Sequence, residues 1–234
     1  MLGEESGRPF SPKVLYVYVK QLEEADLMVI NKCDLLDGER VSRLERALRQ
    51  QNPGAEILRV SAREGTGLGR WLAALAGEAR SPAAPQVDYD LYAEGEALLG
   101  WLNSTIRVNA PAPFDGNRFL MDLARHIRRT LAAEGIEIAH LKMTLARESG
   151  TGEVAVLNLV GAGSEPELRW ALEAPLAAGT LIVNLRAESA PEALRRAVEA
   201  ALAASGPATE IHRMDCFRPA RPVPTHRVAD VSRP

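Results

Sequence analysis

Asp26-Leu27-Met28-Val29-Ile30-Asn31-Lys32-Cys33-Asp34 decides how this chain folds. Leu27 to Ile30 is a short apolar run of the kind that forms a buried strand, and a polar turn follows it at once. Downstream, Asp37-Gly38 opens an amphipathic stretch with Val41, Leu44, Ala47 and Leu48 on one face, and Asn52-Pro53-Gly54 stops it. Glu56 to Val60 reads as a second short strand, after which Ser61-Ala62-Arg63-Glu64-Gly65-Thr66-Gly67 leads into a helix holding Leu68, Trp71, Leu72 and Leu75. Upstream, Ser11-Pro12 followed by Val14, Tyr18 and Leu22 predicts a helix of about three turns. Strands that alternate with helices predict parallel pairing and right-handed crossovers.

Beyond Gly77 the grammar changes. Ser81-Pro82-Ala83-Ala84-Pro85 has no periodicity and predicts a linker. After it come a helix around Leu91–Trp101, a strand near Thr105–Asn109, and a long helix opened by Asp115-Gly116 that runs through Phe119, Leu123, Ile127 and Leu131. Ile138–Ala146 and Val154–Val160 alternate and are joined by Ser149-Gly150-Thr151-Gly152, a hairpin pattern. Leu181–Leu185 is expected as a strand, Pro191–Ala204 as a helix and Thr209–Cys216 as a last strand. The spacing predicts an α+β domain with helices on one face of a mixed sheet, followed by a proline-spaced surface tail.

Ligands of open parallel sheets bind where strands end and loops lead into helices, which is where Asn31-Lys32-Cys33-Asp34 stands. A carboxylate at Asp34 can accept from both N1–H and the exocyclic amine of guanine, a donor pair that adenine lacks. Such charge-assisted hydrogen bonds contribute about 1.5–3 kcal/mol each. Losing the pair costs on the order of a hundredfold in discrimination. The Lys32 stem can lie along the base, and the Asn31 amide can hold the purine edge and its loop. Ser61-Ala62 answers this motif at the end of the next strand: the Ala62 N–H can meet guanine O6, and Ser61 can brace the loop holding Asp34. Asn31, Lys32, Asp34, Ser61 and Ala62 are thus the expected guanine-binding residues; the alternative is a strand-end turn whose Asn and Asp only cap helices.

Composition excludes several classes. The formal charge is −3, so no chain-wide positive excess serves a nucleic-acid backbone or an anionic membrane. No run approaches the length of a membrane helix, and Met1-Leu2-Gly3-Glu4-Glu5 is acidic where a signal peptide is basic, which points to a cytoplasmic protein. Cys33 and Cys216 have no paired spacing, and Cys33 fills the variable position of its motif. His212, Cys216 and His226 invite a metal reading, but His212 and Cys216 on one strand stand about 13 Å apart. His126 and His140 fall in periodic segments, Arg125-His126-Ile127-Arg128-Arg129 reads as a solvated basic face with docking to an acidic partner as the alternative, and Trp71, Trp101 and Trp170 as core or interface anchors.

On these residues the chain resembles the CobW-type P-loop GTPases, a group of metal-insertion GTPases and metallochaperones. The resemblance runs from Phe10-Ser11-Pro12-Lys13 through Gln21-Leu22-Glu23-Glu24-Ala25-Asp26, over Leu27–Asp34, to Ser61-Ala62 and Gly67–Leu72. Phe114-Asp115-Gly116-Asn117-Arg118 and Leu141-Lys142-Met143 resemble, more loosely, the family's smaller C-terminal domain. It implies a fold of class α/β, a partial parallel-sheet P-loop GTPase domain followed by a smaller α+β domain. The expected organisation is residues 1–80 for the C-terminal half of the GTPase-like domain, 81–88 for the linker, 89–217 for the α+β domain and 218–234 for the tail. It also implies GTP or GDP as ligand, magnesium and a transition metal in the full-length family, and a client metalloprotein or partner subunit.

The resemblance is incomplete. A phosphate loop of the G-x-x-x-x-G-K-[ST] kind needs a lysine after a glycine, and Lys13, Lys20, Lys32 and Lys142 all follow other residues. There is no D-x-x-G, and the family's cysteine-rich metal motif is absent. Glu4-Glu5-Ser6-Gly7 resembles the magnesium-side E-x-S-G, but its spacing leaves no room for the intervening strand; Thr66-Gly67-Leu68-Gly69 reads as a helix start. The expectation is a chain that resembles the C-terminal part of a longer GTPase, retains guanine recognition, binds nucleotide weakly and has no turnover alone. Two other readings stand beside it: a non-enzymatic interaction module, and one half of a split GTPase. An incomplete sheet also predicts self-association through its exposed edge and apolar face.

Overall fold

The computed structural model describes residues 10–77, 87–148 and 152–220. The expected Glu4-Glu5-Ser6-Gly7 motif, residues 81–86 of the linker, Ser149-Gly150-Thr151 of the hairpin turn, His226 and residues 221–234 of the tail lie outside them. The chain divides into two compact units, one built on Leu15–Tyr92 and the other on Ala93–Arg221.

The first unit follows the strand-helix grammar. Its elements are α1 (Pro12–Glu23), β1 (Leu27–Ile30), α2 (Gly38–Gln51), β2 (Glu56–Arg59) and α3 (Leu68–Ala76). Asp37 caps α2 by accepting the Arg40 N–H at 2.8 Å, as its position before an amphipathic run requires. Asn52 ends α2, and its amide Nδ2 donates to the carbonyls of Leu22, Glu23 and Ala25 at 3.0, 3.2 and 3.0 Å. One side chain therefore gathers three carbonyls where α1 ends. β1 and β2 pair in parallel, from Leu27 opposite Glu56 to Ile30 opposite Arg59. Met28, Ile30, Leu48, Ala55 and Ile57 form the small core beneath them. The stripe expected to bury α3 is largely open: Leu72 and Leu75 are 60% and 61% exposed.

The second unit is a sheet covered on one face. It comprises α4 (Tyr89–Leu98), β3 (Leu99–Phe114), α5 (Gly116–Ala133), β4 (Ile138–Arg147), β5 (Val154–Leu159), β6 (Glu167–Trp170), β7 (Leu176–Glu188), α6 (Pro191–Ala203) and β8 (Ala208–Phe217). The strand order is β6-β5-β4-β7-β3-β8. Every pairing is antiparallel, which corrects the mixed sheet expected from the sequence. Alternate residues such as Leu102, Ile106, Leu141, Met143, Val183 and Leu185 point to one face, where Leu120, Ile127 and Leu131 of α5 and Leu194 and Val198 of α6 meet them. Of the two units this one holds the larger core.

Several strands exceed their sequence expectation for identifiable reasons. The helix expected to reach Trp101 ends at Leu98, and β3 begins at Leu99 and runs well past the Thr105–Asn109 window. A Cβ at Gly100 would stand 2.6 Å from the Ser189 carbonyl, so glycine is what allows β3 to approach that turn closely. Ser104 interrupts the apolar alternation but is buried, and its hydroxyl donates to the Arg213 carbonyl at 2.8 Å. Gly179 similarly hides the true start of β7, because a Cβ there would stand 2.6 Å from the Ala146 carbonyl. β6 is a four-residue edge strand with no pattern of its own, and Trp170 on it is 65% exposed, so of the core and interface roles expected for it the core is ruled out.

Ile127 lies in α5 with no exposed surface. Ile127→Ala is expected to destabilise the chain by about 2–5 kcal/mol in chemical denaturation monitored by circular dichroism. Ile182→Thr on the open sheet face, where Ile182 is 41% exposed, should change stability by no more than about 0.5 kcal/mol.

Candidate functional site

The parallel register sets the site. Beyond the paired strands the ladder continues, with the Val60 N–H donating to the Ile30 carbonyl at 2.9 Å and the Cys33 N–H donating to the Val60 carbonyl at 3.2 Å. Both chains therefore leave the sheet at the same edge, and the Asn31–Asp34 turn lies beside the Ser61–Gly67 turn. The Asn31 side chain links them. Its Oδ1 accepts the Lys32 N–H at 2.7 Å and the Ala62 N–H at 3.3 Å.

The expected residues take up distinct positions. Asn31 is exposed and joins the turns. Lys32 has φ 59 and ψ 32, the left-handed region, and is the sole non-glycine residue with positive φ among those described. That conformation is disfavoured for a side chain with a Cβ. It turns the backbone sharply at the strand end, so that Cys33–Leu35 forms a single 3-10 turn with Asp34 exposed on it. Ser61 is buried, and its hydroxyl accepts the Glu64 N–H at 3.1 Å. In this structure Ser61 thus braces its own turn, where the sequence suggested bracing of the neighbouring one. Ala62 is exposed, with its N–H directed to Asn31.

The second turn depends on residues that the motif alone did not single out. The Ser61 N–H donates to the Thr66 carbonyl at 2.9 Å, which closes the loop into a short antiparallel bridge. Gly65 and Gly67 both have positive φ, at 74° and 75°. A Cβ at Gly67 would stand 2.2 Å from the Arg59 carbonyl, so the backbone passes against β2 at a spacing open to glycine alone. The two glycines in Gly65-Thr66-Gly67 were the available signal. Leu68 then opens α3, in keeping with a helix start at this point rather than a phosphate loop.

Charge pairs hold the strand that feeds this turn. Arg59 Nε donates to Glu45 of α2 at 2.9 Å, and Arg49 pairs with the same carboxylate at 3.0 Å. The Arg59 hydrogen bond foremost, then that of Arg49, holds the Glu45 carboxyl below the ordinary glutamate range. The contribution of this cluster is present above the unfolded glutamate pKa and is lost as pH falls through the lowered value.

Among the described residues no group of three or more His, Cys, Asp or Glu side chains stands close enough to hold a metal ion. His212 lies 3.9 Å from Glu210 on β8, and burial foremost pushes the Cys216 thiol above its ordinary pKa. No described helix is long and apolar enough to cross a membrane.

Two turns tied together at the outgoing edge of a parallel pair stand where open α/β sheets bind ligands. Residues 12–59 match the model of the CobW/HypB/UreG nucleotide-binding domain family. Among solved structures, the Zn(II)-bound YjiA GTPase from E. coli is 11% identical, with 80% of this chain and 58% of that chain covered at a TM-score of 0.27. A Zn(II)-bound triple mutant of YjiA is 12% identical, with 78% and 54% covered at a TM-score of 0.28. The chain thus spans little more than half the length of these two structures. No curated protein sequence matches it.

The geometry makes a sharp expectation for Gly67. Gly67→Ala combines a positive φ with a backbone overlap and should destabilise the first unit by at least about 2 kcal/mol. Amide hydrogen exchange at Ser61, whose N–H closes the bridge to Thr66, should accelerate with it. Unchanged protection at Ser61 would contradict this account of the turn.

Proposed function

We propose that the chain is a guanine-nucleotide-binding protein of the CobW-like class, in which Asn31, Lys32, Asp34, Ser61 and Ala62 form the base-recognition part of the site. The observation that carries this reading is the Asn31 Oδ1 bond to the Ala62 N–H, which ties the two turns into one edge with Asp34 exposed on the first. In this reading Asp34 takes the two donors of the guanine edge, and the Ala62 N–H exchanges Asn31 for the base carbonyl. Lys32, held at the turn by its left-handed backbone, lays its alkyl stem along the base.

Phosphate contacts are outside this assignment, since none of the lysines follows a glycine. Base contacts alone offset only part of the cost of association, so binding is weak and selective rather than tight. GTP hydrolysis and delivery of a metal to a client belong to the same proposal only when phosphate-binding residues come from further polypeptide. The exposed Leu72 and Leu75 of α3 favour such a partner surface or self-association.

Titration of isotope-labelled full-length chain with GDP and with ADP tests the base assignment. GDP should shift the amide resonances of residues 31–34 and 61–62, and ADP should leave them in place. Asp34→Asn should lose the guanine preference and acquire one for xanthosine diphosphate, because xanthine carries a carbonyl where guanine carries the amine and the new amide donates to it. Equal responses to GDP and ADP, or an unaltered guanine preference in Asp34→Asn, would remove the proposal. Separately, sedimentation velocity at micromolar concentration should show association that Leu72→Glu with Leu75→Glu abolishes.

A further inference from the structure

The second unit has a feature unrelated to nucleotide. The α5 sequence carries Arg118, Arg125, Arg128 and Arg129 against the single carboxylate of Asp122, a formal +3 on one helix of a chain whose net charge is −3. Three of these arginines, Arg118, Arg125 and Arg129, line a groove of about 520 Å³ between α5 and the Ala204–Pro207 turn that follows α6, together with the carboxylates of Asp115 and Asp122. Arg118, Arg125 and Arg129 line it from α5, Phe114 and Phe119 add apolar surface, and the residues contributed by α6 and the turn after it, Ala201 and Ala204 to Pro207, are uncharged. We propose that this groove docks an acidic peptide segment of a partner protein, with one apolar side chain of that segment seated between the α5 arginines and Gly206-Pro207.

Charge complementarity carries the choice of occupant. The Arg118 and Arg125 side chains are 82% and 45% exposed, and their existing partners are surface carboxylates: Asp122 lies 3.5 Å from Arg118, and Glu165 lies 3.3 Å from Arg125. Such exposed pairs contribute little and are readily exchanged for a ligand's carboxylates, which arginine grips through two parallel N–H donors. Asp115, the other carboxylate in the lining, is engaged in capping α5, where its Oδ1 accepts the N–H groups of Asn117 and Arg118 at 2.9 and 3.0 Å. The groove thus keeps a positive excess, while Ala204 and Pro207 offer small and apolar surface.

A nucleic-acid strand fits less well. Phe119 is 7% exposed and packs edge-on against Phe114 at 5.6 Å between ring centroids, so its ring face does not serve for base stacking. Asp115 and Asp122 would also stand against a continuous phosphate backbone, whereas separate carboxylates on a peptide can be spaced around them.

The test uses full-length protein and a fluorescein-labelled peptide, Glu-Glu-Phe-Glu-Glu-Leu-Glu, followed by fluorescence anisotropy at low salt. Saturable binding is expected, and it should weaken at least tenfold in Arg118→Glu with Arg129→Glu. Gly206→Trp leaves the charge unchanged and fills the groove. A Cβ at Gly206 meets no atom within 4 Å, so the fold should tolerate it, and binding should weaken at least fivefold. Replacing Phe and Leu of the peptide by Ser should also weaken binding, and a peptide with Lys for every Glu should not bind. Circular dichroism of both variants is expected to match the parent. No saturation up to about 1 mM peptide would overturn the proposal. So would variants that bind as the parent does, or an oligothymidylate of equal charge binding as tightly as the peptide with the same sensitivity to Gly206→Trp.

Discussion

Parallel pairing of β1 with β2 is the constraint on which the candidate site rests. Because the two strands run in the same direction, both turns emerge at one edge, and the bonds from Val60 to Ile30 and from Cys33 to Val60 carry the alignment past the last paired residues. A slip of one residue would reverse which side chains of β2 face the Met28 and Ile30 core and would move Asn31 away from Ala62. Three further devices secure the arrangement: the Asn52 amide on the carbonyls closing α1, the Arg59 pair with Glu45, and the close passage of Gly67 against the Arg59 carbonyl. Asn52 and the Arg59–Glu45 pair lie away from the exposed edge, Gly67 closes the second turn on it, and each holds an element that leads to it.

The two units are stabilised on different scales. In the second, a six-stranded sheet and two helices bury a continuous core in which most side chains have no exposed surface. In the first, two short strands and their helices gather a core cluster of five buried residues, and α3 leaves Leu72 and Leu75 open. Parallel sheets are ordinarily covered on both faces. Among the described residues of the first unit, Leu72 and Leu75 of α3 are the most exposed large apolar side chains.

Charge distribution separates the units as well. The acidic balance of the whole chain conceals a helix with a formal charge of +3. A net charge speaks to solubility and to long-range attraction, while recognition depends on where charges gather. On α5 they gather beside a groove to which α6 and the turn after it contribute uncharged residues, which gives the second unit a binding chemistry distinct from that of the strand-end turns.

Much of the local structure was legible in the residues themselves. Asp37 before an amphipathic run, Asn52-Pro53-Gly54 after it, and the short apolar strands of Leu27–Ile30 and Glu56–Val60 define α2, β1 and β2 because capping and periodicity are local. The N-K-x-D and S-A turns could be placed at strand ends on the same grounds. What required the tertiary structure was every feature set by a distant neighbour. β3 and β7 extend through Gly100, Ser104 and Gly179 because a carbonyl across the sheet leaves room for no Cβ or accepts a buried hydroxyl. The sheet is antiparallel throughout because pairing partners come from segments far apart in the chain. The Asn31 bond to Ala62 likewise joins residues 31 positions apart, and such a contact is decided by how β1 and β2 pack, not by either turn alone.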